Sequence, residues 1–153
     1  EVNVVGPSGS RRIPLLELYR DDGMAHLTLG PGELVERVHL PTALAGDPSR
    51  YEKARIRGSI DFPLAGVAIR LRKGKGNAVE DVAIALTAVN PYPKVISGLQ
   101  SLIDGKLNED KLDFIRDTVR KQSKPMRTTT VAPWYRRRVV GALARRLAAE
   151  LSA

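Results

Sequence analysis

The sequence predicts an α+β fold: a small antiparallel sheet of three to four strands covered by three C-terminal helices. Three observations carry this. Apolar residues recur with period two, between glycine and proline breaks, as far as Asn90. The period turns helical after Pro91-Tyr92-Pro93, as at Leu99, Leu102 and Ile103. Strands therefore come first and helices last, which favours a layered α+β arrangement over alternating βαβ units.

In chain order, Val2, Val4 and Val5 read as a strand already under way, the mark of a piece cut from a longer polypeptide. Gly6-Pro7-Ser8-Gly9-Ser10 is a turn, and Ile13 and Leu15 resume an extended pattern. His26-Leu27-Thr28-Leu29 alternates up to Gly30-Pro31-Gly32, and Val38 and Leu40 alternate up to Pro41. Ala43 to Ser49 reads as a connecting loop, which places domains at 1–46 and 47–153. Tyr51, Lys53, Arg55 and Arg57 then share one face of an extended segment, a cationic stripe, with Ala54 and Ile56 on the other. Leu64–Leu71 and Val79–Val89, joined by Arg72-Lys73-Gly74-Lys75-Gly76-Asn77, predict a hairpin. The first helix centres on Leu99 to Ile103, with Gly105 as its stop. The second is capped by Asn108, carries Glu109 and Asp110 in its first turn and buries Leu112, Ile115 and Val119. Pro125 and the threonines at 128–130 interrupt. The third starts near Pro133 and repeats Val139, Leu143, Leu147 and Leu151 on one face, leaving Arg136-Arg137-Arg138 and Arg145-Arg146 to solvated surface.

Composition narrows the chemistry. The 153 residues hold 25 Lys+Arg against 17 Asp+Glu, a net charge of +8, and no cysteine. This excludes disulfides, thiolate zinc, iron–sulfur ligation and a cysteine nucleophile within this stretch. The longest apolar-rich run, Val82–Val89, is far short of the ~20 residues of a membrane helix, and no secretory signal opens the chain. Aromatics at 5% are too sparse for a base-stacking platform. Neither glycine-rich stretch matches a phosphate-loop pattern or leads into a helix, so both are turns. His26 and His39 lack ligand company, and no serine sits in a nucleophile elbow. What remains is the stripe at 51–57 running into Gly58-Ser59-Ile60-Asp61-Phe62-Pro63, where cations and a carboxylate could face a polar ring system.

That segment, Tyr51-x-Lys53-x-Arg55-x-Arg57-x-Ser59-x-Asp61-Phe62-Pro63-Leu64-Ala65-Gly66-Val67-Ala68, resembles the opening of the C-terminal domain of molybdenum hydroxylase flavoprotein subunits. This is the family of xanthine dehydrogenase, carbon monoxide dehydrogenase and 4-hydroxybenzoyl-CoA reductase. Arg12-Ile13-Pro14-Leu15, Leu29-Gly30-Pro31-Gly32-Glu33-Leu34-Val35 and Leu40-Pro41 resemble the exit from the FAD-binding domain. Ala83–Val89 with Pro91 resembles the next strand, and Trp134-Tyr135-Arg136-Arg137 with Leu143 and Arg145-Arg146 the closing helix. Asp21-Asp22-Gly23 and Asp61-Phe62-Pro63-Leu64 are most similar to the reductase branch.

The resemblance implies FAD in the full subunit, with molybdenum cofactor and iron–sulfur clusters on partner subunits of a cytoplasmic hetero-oligomer. It implies that residues 1–46 are the tail of the FAD-binding domain, whose pyrophosphate loops are missing here. It carries over Lys53 as a lysine near the flavin ring, Arg57 and Asp61 as residues of the loop beside it, and Val35 as an apolar flavin neighbour. Gly58 and Ile60 depart from the xanthine dehydrogenase pattern, which favours the ferredoxin-linked 4-hydroxybenzoyl-CoA reductase, a remover of a phenolic hydroxyl. Two other readings stay open: a basic nucleic-acid-binding module, and an assembly domain that docks its cations on acidic subunits without touching a cofactor.

Overall fold

The computed structural model describes residues 1–58, 60–128 and 131–153. Ser59 of the expected turn, and Thr129 and Thr130 of the expected break, lie outside the described residues. The chain forms two compact units, Glu1–Gly46 and Asp47–Ala153. Among the described residues, no helix is long and apolar enough to cross a membrane.

In the first unit, β1 (Val2–Gly6) lies between β2 (Gly9–Ile13) and β3 (Leu34–Val38), all antiparallel. The Gly6–Gly9 link is the expected hairpin turn, with Gly9 at φ +113°, a conformation that side chains resist. Val2 and Val4 point to one face and bury completely with Leu18. The segment expected as a strand at 26–29 makes a single bridge, Tyr19 to Leu27. Its tip is taken by Asp22, whose carboxylate accepts the Met24 and Ala25 N–H groups and folds the loop back. Glu33 braces the approach to β3: its carboxylate accepts both Arg11 guanidinium nitrogens and the Gly30 N–H at 2.8 Å.

In the second unit, β4 (Ser49–Ala54), β5 (Ala65–Lys73), β6 (Val79–Thr87) and β7 (Lys94–Val95) form an antiparallel sheet in that order. The β5–β6 hairpin is as expected, and Gly76 and Asn77 supply its left-handed turn at φ +66° and +62°. Period two sends Ala65, Val67, Ile69 and Leu71 to the inner face, and Ile84 and Leu86 pair with Ile69 and Val67 across the ladder. Two helices cover that face: α1 (Glu109–Gln122) and α2 (Pro133–Ser152). The Asn108 carboxamide accepts the Lys111 N–H at 3.0 Å as the expected cap, and Leu112, Ile115 and Val119 are buried. On α2 the buried face runs through Val140, Leu143, Ala144, Leu147 and Ala148, with Val139 and Leu151 at its margin.

The α+β class and the covered sheet hold, but the expected first helix is corrected to one 3₁₀ turn, Gln100–Leu102. Gly98 at φ +77° and Asp104 at φ +62° break the chain on either side of it. Too few residues lie between them to repay helix nucleation. Leu99 and Leu102 are nonetheless buried, because backbone bonds between Val79 and the Asp104–Gly105 pair pin the segment to the start of β6.

The placement of Arg136 on solvated surface is also corrected. It is 7% exposed and, among the described residues, has no carboxylate partner. Its Nε donates to the Leu64 carbonyl and Nη1 to the Met126 carbonyl, each at 2.8 Å, and Nη2 donates to the Ala88 carbonyl. Burial lowers its pKa from the ordinary guanidinium value. Ala88 sits at φ +65°, a costly conformation for a residue with a Cβ, and Arg136 grips its carbonyl. The sequence held the signal: Arg136 stands four residues before Val140 on the buried face.

Two outcomes follow. Arg136→Met keeps much of the stem but leaves three carbonyls unpaired, so urea denaturation of the full subunit should show a loss of about 3 kcal/mol or more. Arg136→Lys should recover only part of it, having no planar fork. The Arg11 guanidinium, with help from the Gly30 N–H, lowers the Glu33 carboxyl from 4.5 to about 2. Its contribution to stability is complete above pH 4.5 and disappears as pH falls through about 2. An NMR titration should place the Glu33 midpoint near 2 and see it move toward 4.5 in Arg11→Ala.

Candidate functional site

Three of the four residues singled out by sequence, Lys53, Arg57 and Asp61, lie on β4 or in the loop that follows it. Lys53 lies on the outer face of β4, half-buried and opposite Gly66 of β5. A Cβ on Gly66 would come within 2.3 Å of Thr87 Oγ1 and 2.8 Å of the Tyr51 hydroxyl, so the Tyr51 ring lies across this glycine. Thr87 Oγ1 is buried and, among the described residues, finds no hydrogen-bond partner. Lys53 likewise makes no ion pair among the described residues.

The chain then leaves the sheet for residues 55–63. Strand pairing ends at Ala54, so the expected stripe is corrected: Tyr51 and Lys53 share the outer face, while Arg55 and Arg57 stand in the loop beyond it. The departure has a physical cause, because Asp61 captures the backbone that a ladder would have used. Its carboxylate accepts the Arg57 N–H at 2.9 Å, the Phe62 N–H at 2.9 Å and the Arg57 guanidinium at 3.3 Å. These bonds, the Arg57 N–H foremost, hold the Asp61 carboxyl below the usual carboxylate range. The Asp61 side chain is 13% exposed and that of Arg57 72%. The carboxylate thus serves the turn, and the guanidinium keeps donors free for something outside it.

The loop is closed at its neck by the Leu64 N–H donating to the Ala54 carbonyl at 2.7 Å, while Arg136 holds the Leu64 carbonyl. Ile56, Ile60 and Phe62 extend from it with their side chains in solvent. Of the four residues carried over from the resemblance, Arg57 and Asp61 are in direct contact and Lys53 lies on the strand that feeds their loop. Val35 is in the other unit, on β3, paired with Val4 and half-buried beside Val2 and Leu18. His39 is engaged with the Asn3 side chain at 3.0 Å, and His26 is exposed.

The chemistry available is that of a donor surface. Lys53, the spare N–H groups of Arg57 and the hydroxyls of Tyr51 and Thr87 can meet acceptors on a ligand. A buried hydroxyl without a partner among the described residues, on the sheet face that carries Lys53, suits a ligand with a polar edge of carbonyl oxygens and ring nitrogens, such as a flavin. Sequence reasoning missed Tyr51 and Thr87 as hydroxyl donors, since only strand pairing brings them together over Gly66.

Comparison with known proteins fits this architecture. The chain is 34% identical over 137 residues to the glyceraldehyde dehydrogenase medium chain of Sulfolobus acidocaldarius, a match covering 89% of this chain and 47% of that one. Its fold is similar to a chain of CO dehydrogenase from Oligotropha carboxidovorans, with a TM-score of 0.79, 24% identity and coverage of 99% and 52%. It is also similar to a chain of quinoline 2-oxidoreductase from Pseudomonas putida 86, with a TM-score of 0.83, 18% identity and coverage of 99% and 51%. The chain thus spans about half the length of these relatives. Residues 49–151, which hold the whole four-stranded sheet, α1 and all but the last residue of α2, match the CO dehydrogenase flavoprotein C-terminal domain, and the chain belongs to that family.

Proposed function

We propose that this chain is the C-terminal part of the FAD-binding, electron-transferring subunit of a molybdenum–flavin–iron–sulfur oxidoreductase, working with molybdenum-cofactor and iron–sulfur subunits in the cytoplasm. The observation that carries the reading is the Asp61-braced loop, which holds the Arg57 side chain largely in solvent just beyond the strand that carries Lys53, in a chain of this family. FAD, when bound, supplies reversible uptake and release of electrons.

In this reading Lys53 and Arg57 put positive charge and N–H donors at the polar edge of the flavin ring. A cation there favours the reduced, more negative form and so raises the potential. Asp61 braces its own loop beside the flavin and keeps Arg57 in place. Tyr51 and Thr87 add hydroxyls on the same face of the sheet. Val35 is proposed separately as an apolar flavin neighbour, to be tested by Val35→Ala.

The finer reading of the complex is 4-hydroxybenzoyl-CoA reductase, supported by the similarity at Asp21-Asp22-Gly23 and Asp61-Phe62-Pro63-Leu64. The relative named glyceraldehyde dehydrogenase favours a second reading, oxidation of an aldehyde. Turnover of 4-hydroxybenzoyl-CoA against glyceraldehyde by the assembled complex separates the two.

For the flavin site, the full-length subunit is purified as wild type, Lys53→Met and Asp61→Ala, and read by visible absorbance and potentiometry. Lys53→Met should lower the two-electron potential by on the order of 30 mV, equal to about 1.4 kcal/mol. Asp61→Ala should weaken flavin retention about tenfold as the loop loses its brace. Unchanged flavin content and potential in both variants would overturn the assignment.

A further inference from the structure

Helices α1 and α2 approach closely at Gly141, where a Cβ would lie 2.6 Å from Arg120 Cγ and 2.9 Å from the Arg116 carbonyl. Between the C-terminal turns of α1 and the N-terminal turns of α2 an open groove of about 490 Å³ remains. Asp117, Arg120, Lys121, Trp134, Arg137 and Arg138 line it.

Its charge is one-sided. Asp117, the single acid of the lining, is already engaged by Arg116 at 3.0 Å and approached by Arg120 at 3.6 Å. Among the described residues, Lys121, Arg137 and Arg138 have no carboxylate within ion-pair distance. The far half of α2 is different. There Arg145 reaches Glu109 and Asp113, and Arg146 reaches Glu52 and Glu150. The same helix therefore neutralises its cations internally at one end and collects them around an open groove at the other. Gathering like charges is unfavourable unless something outside the chain compensates them. Trp134, 60% exposed and set edge-on against Tyr135 at 6.0 Å, gives the groove an apolar wall.

We propose that this groove docks an acidic segment of a partner subunit, with Asp or Glu side chains on Lys121, Arg137 and Arg138 and an apolar side chain against Trp134. The inference rests on the reading of this chain as a subunit of a complex, and it names the surface and the chemistry of the contact. A protein segment suits the groove better than nucleic acid. The cations surround a bounded cleft between two helices, and the lining contributes one aromatic ring where a strand of bases needs successive stacking platforms.

The test uses the full-length subunit and its molybdenum-cofactor and iron–sulfur partner subunits, with affinity read by calorimetry at low and high salt. The Arg137→Glu/Arg138→Glu variant should bind its partners at least tenfold more weakly, with a flatter salt dependence. Its flavin content and thermal melt should match wild type. Arg137→Gln/Arg138→Gln should show a smaller loss in the same direction, which guards against misfolding as the cause. Wild-type affinity in the charge-reversed variant would overturn the proposal. So would intact subunit association combined with loss of binding to duplex DNA or single-stranded RNA, which would assign the groove to nucleic acid. A subunit that carries no flavin but still shows groove-dependent association would sink the flavin reading and leave this one standing.

Discussion

A buried arginine that bonds backbone carbonyls is the constraint on which the second unit turns. Arg136 enters the interior on the first turns of α2 and spends its fork on three carbonyls from three separate segments. Bonds from a charged donor are individually strong, and one buried side chain supplies all three. The helix is thereby fastened to the start of β5, to the corner after β6 and to the chain that follows α1. A carboxylate would have made a local ion pair. Carbonyls instead let one side chain join distant pieces of backbone.

That fastening bears on the loop between β4 and β5. Its two ends meet at Ala54 and Leu64, and Leu64 is held from inside by Arg136 and tied to Ala54 across the neck. Within the loop Asp61 satisfies backbone donors that would otherwise need water. Arg57 is fixed at its backbone, and its guanidinium, touching Asp61 through one nitrogen, is otherwise open to solvent. A ligand met there would find donors already oriented, at little further entropic cost.

The sheet and helices divide the remaining work by face. The inner face of β5 and β6 is aliphatic and covered by α1 and α2. The outer face carries Tyr51, Lys53 and Thr87, and Arg70 bridges Asp47 and Asp81 on it at 2.7 Å each. Electrostatics on α2 are divided along its length, with Arg145 and Arg146 serving the packing of the unit and Arg137 and Arg138 outside any ion pair among the described residues. A basic chain need not be a nucleic-acid binder: much of its positive charge is already spent on its own carboxylates.

Local pattern was enough for the strands of the β5–β6 hairpin, the Asn108 cap, the buried triad Leu112, Ile115 and Val119, and the turn character of both glycine-rich stretches. Each depends on residues close in sequence, through periodicity, capping or φ preference. The helix expected at 99–103 failed because its apolar spacing is real but its flanks are left-handed, and spacing alone cannot report the length available. Spacing alone puts Arg136 on the buried face with Val140, but its three carbonyl acceptors, and the meeting of Tyr51 and Thr87 over Gly66, were out of reach for a different reason. A cation on an arginine-rich helix, a glycine in a strand and a threonine at a strand end are ordinary residues until folding brings them to their partners. Whether a polar group is solvated, spent on a carbonyl or left unpaired depends on neighbours distant in sequence, and only the packed chain supplies those.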